Sequence, residues 1–364
     1  MKKCFLIIII SILSLSCSRQ INQSNKTESK KVLDSIVALT KIHSIYKNDV
    51  DWAKLEKRIY DKFVDSDSIS SIIEPVKYML SELGDFHGFF TIQNIPYKAI
   101  GEKERNLHYD NSSKGYKGKM NEIYENSIKT NEITGSILKD SIAYIEIPMV
   151  LNYTNNQEIN IESTLKIRKK ITELNKYNPK GYIIDLRRNL GGTIFPMLAG
   201  LGELFNNISL GGMTKDGKTF SNQWYIKDGN IYMEEENLIP DLPKTTCNCD
   251  ITKINKKVAV LIGRYTASSG ELVASSLKSQ KNVMLFGEQT MGMSTTTGWF
   301  LITSNVAINP ATTYYMSKDK TAHIDGVIPD ISIEESFDNK NPTNGNVIEE
   351  AKKWISTGYN KVKD

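Results

Sequence analysis

The chain has 364 residues, of which 40% are hydrophobic and 24% are charged, and its formal net charge is +4. This length and composition can bury a large core, which predicts one large domain with a smaller one beside it. The charge is mild and no basic stripe is interleaved with aromatic residues, so no nucleic-acid partner is expected. The four His residues form no H-E-x-x-H or spaced Cys/His set, so neither a metal site nor a cofactor is predicted.

The first residues have the pattern of a targeting segment. Two lysines precede a short apolar run, and small residues then lead to Cys17. This pattern resembles a bacterial lipoprotein signal peptide, in which Cys17 becomes the lipidated N-terminus. A plain signal peptide is the alternative. Either way the protein is predicted to be exported, and the lipoprotein reading attaches it to a membrane through a lipid anchor, facing the periplasm or the cell exterior.

Helical periodicity follows a polar tether. Three apolar stripes, the first beginning at Val32, predict a small N-terminal bundle of three helices, and Gly84 is the expected stop after the third. The sequence Asp85-Phe-His87 comes next, so His87 is predicted to lie on a turn before a short strand. Most lone histidines are surface or structural groups, but a loop position favours a functional role.

The rest of the chain divides by its pattern. Residues 93–134 are polar without a clear period, which predicts an irregular connector or edge-strand material, too short for an inserted peptide-binding domain of ordinary size. Alternating strand and helix patterns then predict an α/β core. The predicted organisation is a signal peptide (1–17), a tether (18–30), an N-terminal helical subdomain (31–92), the connector (93–134), the core (135–335) and a C-terminal helix with its tail (336–364).

Two strand–turn–helix units stand out within the core. A buried strand over 180–186 leads into a glycine turn that contains Gly191 and Gly192, and a helix follows. A second buried strand, 258–262, leads through a short turn to a helix that begins near Ser268. Open α/β sheets place their sites at the carboxyl ends of such strands, so both turns are predicted to be functional.

Ser268 allows two interpretations. With Glu271 it forms the S-x-x-E pattern of a capping box, and such a serine can be no more than a helix cap. The same position is also suited to catalysis, because a helix N-terminus is positive and its backbone N–H groups can stabilise a developing oxyanion.

Four motifs extend this observation. They are Asp185-Leu-Arg-Arg-Asn-Leu-Gly-Gly192, Thr266-Ala-Ser-Ser-Gly-Glu271, Gly287-Glu-Gln-Thr-Met-Gly292 and Gly326-Val-Ile-Pro-Asp330. In order and spacing they resemble the carboxy-terminal processing (tail-specific) serine protease family. The resemblance covers roughly residues 135–335. It implies a crotonase-like α/β core of repeated ββα units and a serine-type peptidase whose partner is a peptide or unfolded protein substrate.

The resemblance also implies a catalytic set. Many family members activate the serine with a lysine just after the third motif, and Met293 stands there in this chain. A thioether cannot accept a proton, so the chain is similar instead to the branch that includes the tricorn core protease, which lacks this lysine. That branch implies Ser268 as nucleophile, His87 as base and Asp325 as the acid that orients it. The rival base is His323, and the rival acid is Glu288.

The implied chemistry needs these residue types. A serine hydroxyl is a weak nucleophile until an adjacent base accepts its proton, and imidazole titrates in the right range. A carboxylate would hold the tautomer of the imidazole and stabilise the imidazolium. The oxyanion hole is expected from the backbone N–H groups of Gly191, Gly192 and Ser269.

Three functions remain open at this point. The first is an exported serine peptidase that hydrolyses peptide bonds through a Ser-His-acid mechanism with a backbone oxyanion hole. The alternative is a catalytically inactive lipoprotein that binds a ligand or peptide on the same fold, and Met293 is its best support. A non-proteolytic hydrolase with the same catalytic set is the third.

Overall fold

The computed structural model describes residues 26–99, 114–130, 132–152, 157–205, 208–227, 230–233, 237–238, 256–278, 280–335 and 342–357. The predicted signal peptide and lipidation site Cys17 lie outside these residues. Across the described ranges, no helix combines the length and apolar character needed to cross a bilayer.

Helices and strands are numbered in chain order. The helices are α1 (Glu28–His43), α2 (Trp52–Asp61), α3 (Ile73–Leu83), α4 (Lys114–Thr130), α5 (Gln157–Asn175), α6 (Ile194–Leu201), α7 (Ser269–Lys278) and α8 (Asn346–Thr357). The strands are β1 (Phe89–Ile92), β2 (Ile95–Lys98), β3 (Thr134–Ile137), β4 (Ala143–Glu146), β5 (Gly181–Asp185), β6 (Ile208–Thr214), β7 (Asn222–Lys227), β8 (Asn230–Met233), β9 (Asn237–Leu238), β10 (Lys257–Ile262), β11 (Val283–Gly287), β12 (Thr295–Thr297), β13 (Phe300–Thr303), β14 (Val306–Asn309), β15 (Ala311–Met316) and β16 (Ile331–Ser332).

Local chemistry sets the ends of the first three helices. The Thr27 side chain caps α1 and the Asp51 side chain caps α2, each by accepting backbone N–H groups of the first turn. Gly84 ends α3 in the left-handed conformation, with φ of 66°. The apolar faces of these helices form one core with β1 and β14, so the first helices and the strand after His87 are packed as one unit.

A six-stranded sheet in the order β16-β11-β10-β5-β4-β3 forms the centre of the α/β part. The strands are parallel except β3, which pairs with β4 in the antiparallel sense. Both faces are buried, since successive residues of β10 belong to different cores: Val260 packs with α5, α6 and α7, whereas Leu261 packs with α8. This explains why β5 and β10 read as continuous apolar runs. Because β5 and β10 are neighbours, the two turns predicted to be functional lie side by side.

Two further sheets complete the described fold. One has the order β13-β14-β1-β2 and carries the strand that begins two residues after His87. The other has the order β12-β15-β6-β7-β8-β9. β14 leads directly into β15 through Pro310, so these two sheets are joined near the turn that bears His87.

The prediction for residues 93–134 is wrong where residues 114–130 form α4. Residues 95–98 form β2, an edge strand that pairs with β1, as the prediction allowed. The sequence pattern did not predict α4 because the composition of this helix is polar. In its described side chains only Ile123 and Ser127 are buried, four positions apart, so the apolar stripe is too narrow to show as a period.

A buried ion cluster fastens the β5 turn to the C-terminal segment. The Arg187 side chain is 3% exposed and its guanidinium donates to the carboxylate of Asp185, to that of Glu335 at 2.9 Å, and to the carbonyl of Pro342 at 2.6 Å. The two carboxylates are 4% and 6% exposed, so none of the three charges is well solvated. Arg187 is the cation that both carboxylates share, and Asp185 also accepts from the Tyr144 hydroxyl at 2.7 Å.

We expect Arg187→Met to lower the free energy of unfolding by about 3–5 kcal/mol, because the carboxylates of Asp185 and Glu335 stay buried without their cation. Urea unfolding followed by circular dichroism measures the change. The matched control is Arg58→Met, which removes an exposed pair with Glu82 and is expected to leave the free energy of unfolding almost unchanged. Equal losses in the two variants would contradict the buried-cluster interpretation.

Candidate active site

Ser268 lies on the tight turn between β10 and α7. Its φ is 50°, which is uncommon for a residue with a side chain and marks a strained position. The backbone N–H of Ser268 donates to Oε2 of Glu271 at 2.9 Å, which is one half of the predicted capping box. The hydroxyl, however, is directed to His87, so the interpretation of Ser268 as a helix cap alone is wrong.

The carboxylate of Glu271 fixes the turn that carries Ser268. Its buried carboxylate accepts from the Ser268 N–H, from Thr290 Oγ1 at 2.5 Å and from the Gly292 N–H at 2.8 Å. Burial raises the pKa of Glu271 to about 7, and the hydrogen bonds from these donors oppose that rise. Glu271 therefore joins the turn of the serine to the Gly287–Gly292 motif through one side chain.

His87 meets Ser268 although 181 positions separate them in the sequence. His87 Nε2 lies 2.8 Å from Ser268 Oγ, and Nδ1 lies 2.6 Å from Thr295 Oγ1. The backbone of Thr295 is a further hydrogen-bond partner that raises the pKa of the ring, as an accepting carbonyl does. This environment favours the tautomer with Nδ1–H, which leaves Nε2 to accept the serine proton.

The protonation of His87 suits a base. Burial lowers the pKa of the imidazole to about 4, and the positive charge of Lys98 acts in the same direction. The ring is therefore neutral at neutral pH. A neutral imidazole whose Nε2 faces a hydroxyl at hydrogen-bond distance can accept a proton from it.

Asp85 fixes the turn that carries His87. Its fully buried carboxylate accepts from the Gly88 N–H at 2.7 Å and from the Ala311 N–H at 2.8 Å. Burial raises the pKa of Asp85 to about 6, and these backbone donors oppose that rise. Because Ala311 begins β15 and Thr295 in β12 pairs with β15, the same strand pair supports both the His87 turn and the hydroxyl at Nδ1.

The prediction of Asp325 as the acid that orients His87 is wrong. Nδ1 of His87 is bonded to a hydroxyl, Thr295 Oγ1, and not to a carboxylate. Asp325 is exposed, and its backbone carbonyl accepts from Gln289 Nε2 at 3.0 Å. The physical reason is that β12 passes directly beside the imidazole, so a residue of that strand takes the position expected for the acid.

The two rival residues also lie elsewhere. Glu288 pairs with Arg264, with Oε1 and Nη2 2.6 Å apart. His323 is buried, lies 3.3 Å from Ser317 Oγ through its Nε2 and stacks on Tyr315. The structure thus brings together Ser268 and His87 from the predicted catalytic set, and adds Thr295.

The predicted oxyanion hole needs one correction. The N–H of Gly191 donates to Asn189 Oδ1 at 2.8 Å, so it is already engaged. Among described residues, the N–H groups of Gly192 and Ser269 have no such hydrogen-bond acceptor, and the Ser269 hydroxyl donates to the Gly192 carbonyl at 2.6 Å. These two N–H groups are the ones available beside Ser268.

Gly191 has a different role from the predicted one. Its φ is 109°, and a Cβ added there would lie 2.6 Å from Ser268 Cβ and 3.1 Å from Ser268 Oγ. Only a glycine lets the β5 turn approach the serine this closely. Gly191 therefore makes room for the hydroxyl without donating to an oxyanion.

Ser268 and His87 open onto a cavity of about 450 Å³. Its wall is largely apolar and includes Met149, Met293 and Trp299, while Lys98 adds a cation. Met293 thus lines the cavity where other family members were expected to carry a lysine. Within the described part of the chain, no group of three or more His, Cys, Asp or Glu side chains is placed to hold a metal ion.

Comparison with known proteins identifies the family. Residues 141–333, more than half of the chain, match peptidase family S41. The chain belongs to this family. The family assignment drawn from the four motifs is confirmed, and with it the classification as a serine-type peptidase.

The S41 relatives are similar over half of this chain or less. The carboxy-terminal processing protease CtpA of Bacillus subtilis is 30% identical over 188 residues, which are 50% of this chain and 35% of that protein. The nisin-resistance protein of Lactococcus lactis is 34% identical over 122 residues, which are 33% of this chain and 36% of that protein. The chain thus spans about a third of the length of the curated relatives it matches.

Solved structures show the same fold at low sequence identity. A lipoprotein from Streptococcus agalactiae aligns with a TM-score of 0.64 and 18% identity over 91% of this chain and 97% of that one. A photosystem II D1 C-terminal processing protease aligns with a TM-score of 0.53 and 15% identity over 85% of this chain and 94% of that one. The predicted mixed α/β class is confirmed.

Sequence reasoning missed two residues of this S41 site. Thr295 stands two positions after Met293 in a run of three threonines, and a hydroxyl close to the missing lysine was the only available signal. Lys98 gave none, because it lies on an edge strand inside a polar segment. Asp85 was visible in the D-x-H motif, but its function as an anchor of the turn depends on Ala311 and was not predictable.

We expect Gly191→Ala to slow the labelling of Ser268 by a fluorophosphonate at least about 100-fold, because the new Cβ collides with the serine. Mass spectrometry of the labelled protein measures the rate. The matched control is Gly217→Ala, which has a positive φ of 71° but only an ordinary contact at 3.7 Å. It is expected to lose some stability and keep the labelling rate. Normal labelling of Gly191→Ala would show that the close approach is not needed.

Proposed function

We propose that this S41 chain is a serine peptidase that hydrolyses peptide bonds, with Ser268 as the nucleophile and His87 as the base. The observation that carries the proposal is the 2.8 Å distance between His87 Nε2 and Ser268 Oγ at the wall of an open cavity. Family membership supports the chemical class, and this contact supports the choice of residues.

The reaction follows from the geometry. Ser268 Oγ attacks the carbonyl carbon of the substrate while His87 Nε2 takes the hydroxyl proton. The negative charge that develops on the carbonyl oxygen is stabilised by the N–H groups of Gly192 and Ser269, each worth about 3–4 kcal/mol in comparable sites. His87 then gives its proton to the leaving amine, and a water molecule activated by the same imidazole hydrolyses the acyl-serine.

Thr295 replaces the acid in this mechanism. A hydroxyl at Nδ1 holds the ring orientation and the tautomer, which is the positioning role of the usual carboxylate. It cannot neutralise the imidazolium that forms during the reaction, because it carries no charge. The low pKa of His87 has the same basis, since burial disfavours the charged ring and no adjacent anion compensates.

The substrate class is proposed as peptides or unfolded proteins. The carboxy-terminal processing proteases among the relatives support it by name. The cavity is large and apolar enough to accept side chains that flank a scissile bond. The segment between β2 and β3 is too short for an inserted peptide-binding domain, so we propose that the catalytic cavity itself selects the substrate.

Finer features predicted from the sequence are kept as proposals. We propose export and anchoring through a lipid on Cys17, on the strength of the N-terminal pattern. The crotonase-like description of the core and the tricorn-like branch are supported by the parallel central sheet and by a histidine beside the serine. The division at residues 31–92 and 135–335 is supported by their separate apolar cores.

One pair of observations favours a second function. Met293 replaces a proton acceptor and Thr295 stands where an acid was expected, so the site lacks both groups that most strongly activate a serine. A binding lipoprotein that retains the fold and has lost catalysis is consistent with both. The distinguishing property is the reactivity of the Ser268 hydroxyl.

We expect a fluorophosphonate to label the wild-type chain at Ser268, and Ser268→Ala to abolish that labelling. His87→Ala should slow it by roughly 1000-fold or more, because the hydroxyl loses its proton acceptor. Intact-protein mass spectrometry with peptide mapping measures both. The matched control is His43→Ala, which removes an exposed histidine outside the cavity and should leave the rate unchanged. Absence of labelling in the wild type, or unchanged labelling of Ser268→Ala, contradicts the peptidase proposal.

The pH dependence tests the role of Thr295. Because the pKa of His87 is lowered to about 4, labelling should be lost only as the pH falls through about 4. This loss of labelling is the acid limb of the plot of labelling rate against pH. We expect Thr295→Asp to move the acid limb to higher pH, since a carboxylate at Nδ1 favours the imidazolium. The neighbouring Thr296→Val keeps the limb in place, because Thr296 Oγ1 contacts Thr313 instead.

Two other groups titrate near this range. Burial raises the pKa of Asp85 to about 6 and that of Glu271 to about 7, and both contact the active-site turns. Asp85 and Glu271 are unchanged in Thr295→Asp and in Thr296→Val. A shift of the acid limb between these variants therefore reports on the pKa of His87. A limb that stays in place in Thr295→Asp would show that Thr295 does not control the imidazole.

A further inference from the structure

Lys98 is a cation in the described lining of the cavity that the proposed mechanism does not use. It ends β2 and pairs across the strands with Phe89, two residues after His87. Lys98, Phe89, His87 and Ser268 all line the same cavity. The lysine therefore stands on the sheet that carries the base and faces the space where a substrate must lie.

The ammonium of Lys98 has no anion beside it in the described part of the chain, where neither an ion pair nor a side-chain hydrogen bond to it is found. Lys98 is an exposed residue. The surrounding protein nevertheless desolvates its ammonium and lowers the pKa of that group. Its charge is felt at the active site, because it also lowers the pKa of His87. A partly desolvated cation without a partner is an unfavourable arrangement that an anion relieves.

The other residues that line the cavity indicate what kind of molecule carries the anion that Lys98 would bind. Met149, Leu151, Met293 and Trp299 give the cavity an apolar lining, and Trp299 is 54% exposed. Among the lining residues that the structure describes, none carries a carboxylate. The cavity therefore suits a ligand with apolar groups and one negative charge, and for a peptide that charge is a carboxylate.

We propose that Lys98 binds a carboxylate of the substrate, so that the favoured peptides carry an acidic side chain or a free C-terminus close to the scissile bond. This inference depends on the peptidase function proposed above. Ammonium–carboxylate hydrogen bonds are among the stronger ones available to a protein.

A second consequence concerns the base. While Lys98 is unpaired, its positive charge disfavours the protonated imidazole. A bound carboxylate neutralises that charge, so the pKa of His87 rises and the ring accepts the serine proton more readily. The other titratable groups around the ring are Tyr124 in the cavity wall and the buried carboxylates Asp85 and Glu271. Substrate selection and activation of the base are thereby coupled.

The test compares matched fluorogenic peptides on the full chain. One set differs only by Glu or Gln at each position on either side of the scissile bond, and a second differs only by a free or amidated C-terminus. The first set reports a side-chain carboxylate and the second a terminal one. The variants are Lys98→Met, Lys98→Arg and Lys98→Glu, with Lys57→Met on the exposed face of α2 as the control.

We expect Lys98→Met to lower kcat/KM for the preferred carboxylate peptide by roughly 10- to 100-fold, the range for loss of a charge-assisted hydrogen bond. The neutral partner peptide should lose at most about threefold, Lys98→Arg should restore the preference and Lys98→Glu should reverse it. Lys57→Met should match the wild type. With Lys98→Met, the acid limb measured with the neutral peptide should also move to higher pH relative to the wild type, because the charge that lowers the pKa of His87 is removed.

Two results overturn the proposal in distinguishable ways. If the wild type cleaves peptides but Lys98→Met leaves the carboxylate preference unchanged in both sets, the carboxylate site is wrong and the peptidase function stands. If no peptide is cleaved and Ser268 is not labelled by a fluorophosphonate, the peptidase function is wrong and the carboxylate proposal falls with it.

Discussion

The contact between His87 Nε2 and Ser268 Oγ is the interaction on which the functional interpretation of this fold depends. The two residues come from different parts of the chain, and neither side chain can hold the distance by itself. Each is carried by a turn that one buried carboxylate fastens to backbone N–H groups: Asp85 for the histidine and Glu271 for the serine. The burial of both carboxylates raises their pKa values, so these anchors are retained at an energetic cost. Rigid placement of the base and nucleophile is the property that offsets the cost.

The central sheet gives the second constraint. Because β5 and β10 are adjacent and parallel, their carboxyl ends put the glycine turn directly against the serine turn. Gly191 is required by this approach, since the space for its Cβ is already occupied by Ser268. The Arg187 cluster then fastens the same β5 turn to the C-terminal segment. The stability of the core and the geometry of the site are therefore served by the same few residues of one motif.

The sequence predicts those parts of the site that are encoded locally. Four spaced motifs were enough for the family, and the same resemblance put Ser268 and His87 forward as nucleophile and base. The partner of Nδ1 could not be found this way, because Thr295 reaches the ring through the pairing of β12 with β15. The predicted use of the Gly191 N–H in the oxyanion hole was wrong for a related reason. The side chain of Asn189, two residues away, already accepts from that N–H. Such contacts depend on register and side-chain direction, which a motif does not specify.

The electrostatics of the site lead to one more step. Burial and the Lys98 charge both disfavour a protonated His87, and the hydroxyl of Thr295 does nothing to counter them. In a usual triad the carboxylate compensates the imidazolium permanently. Among the described residues that line the cavity there is no carboxylate to play this part. Under the proposed function, the carboxylate of a bound substrate would supply the compensation, and the serine would be activated fully only when that ligand is bound.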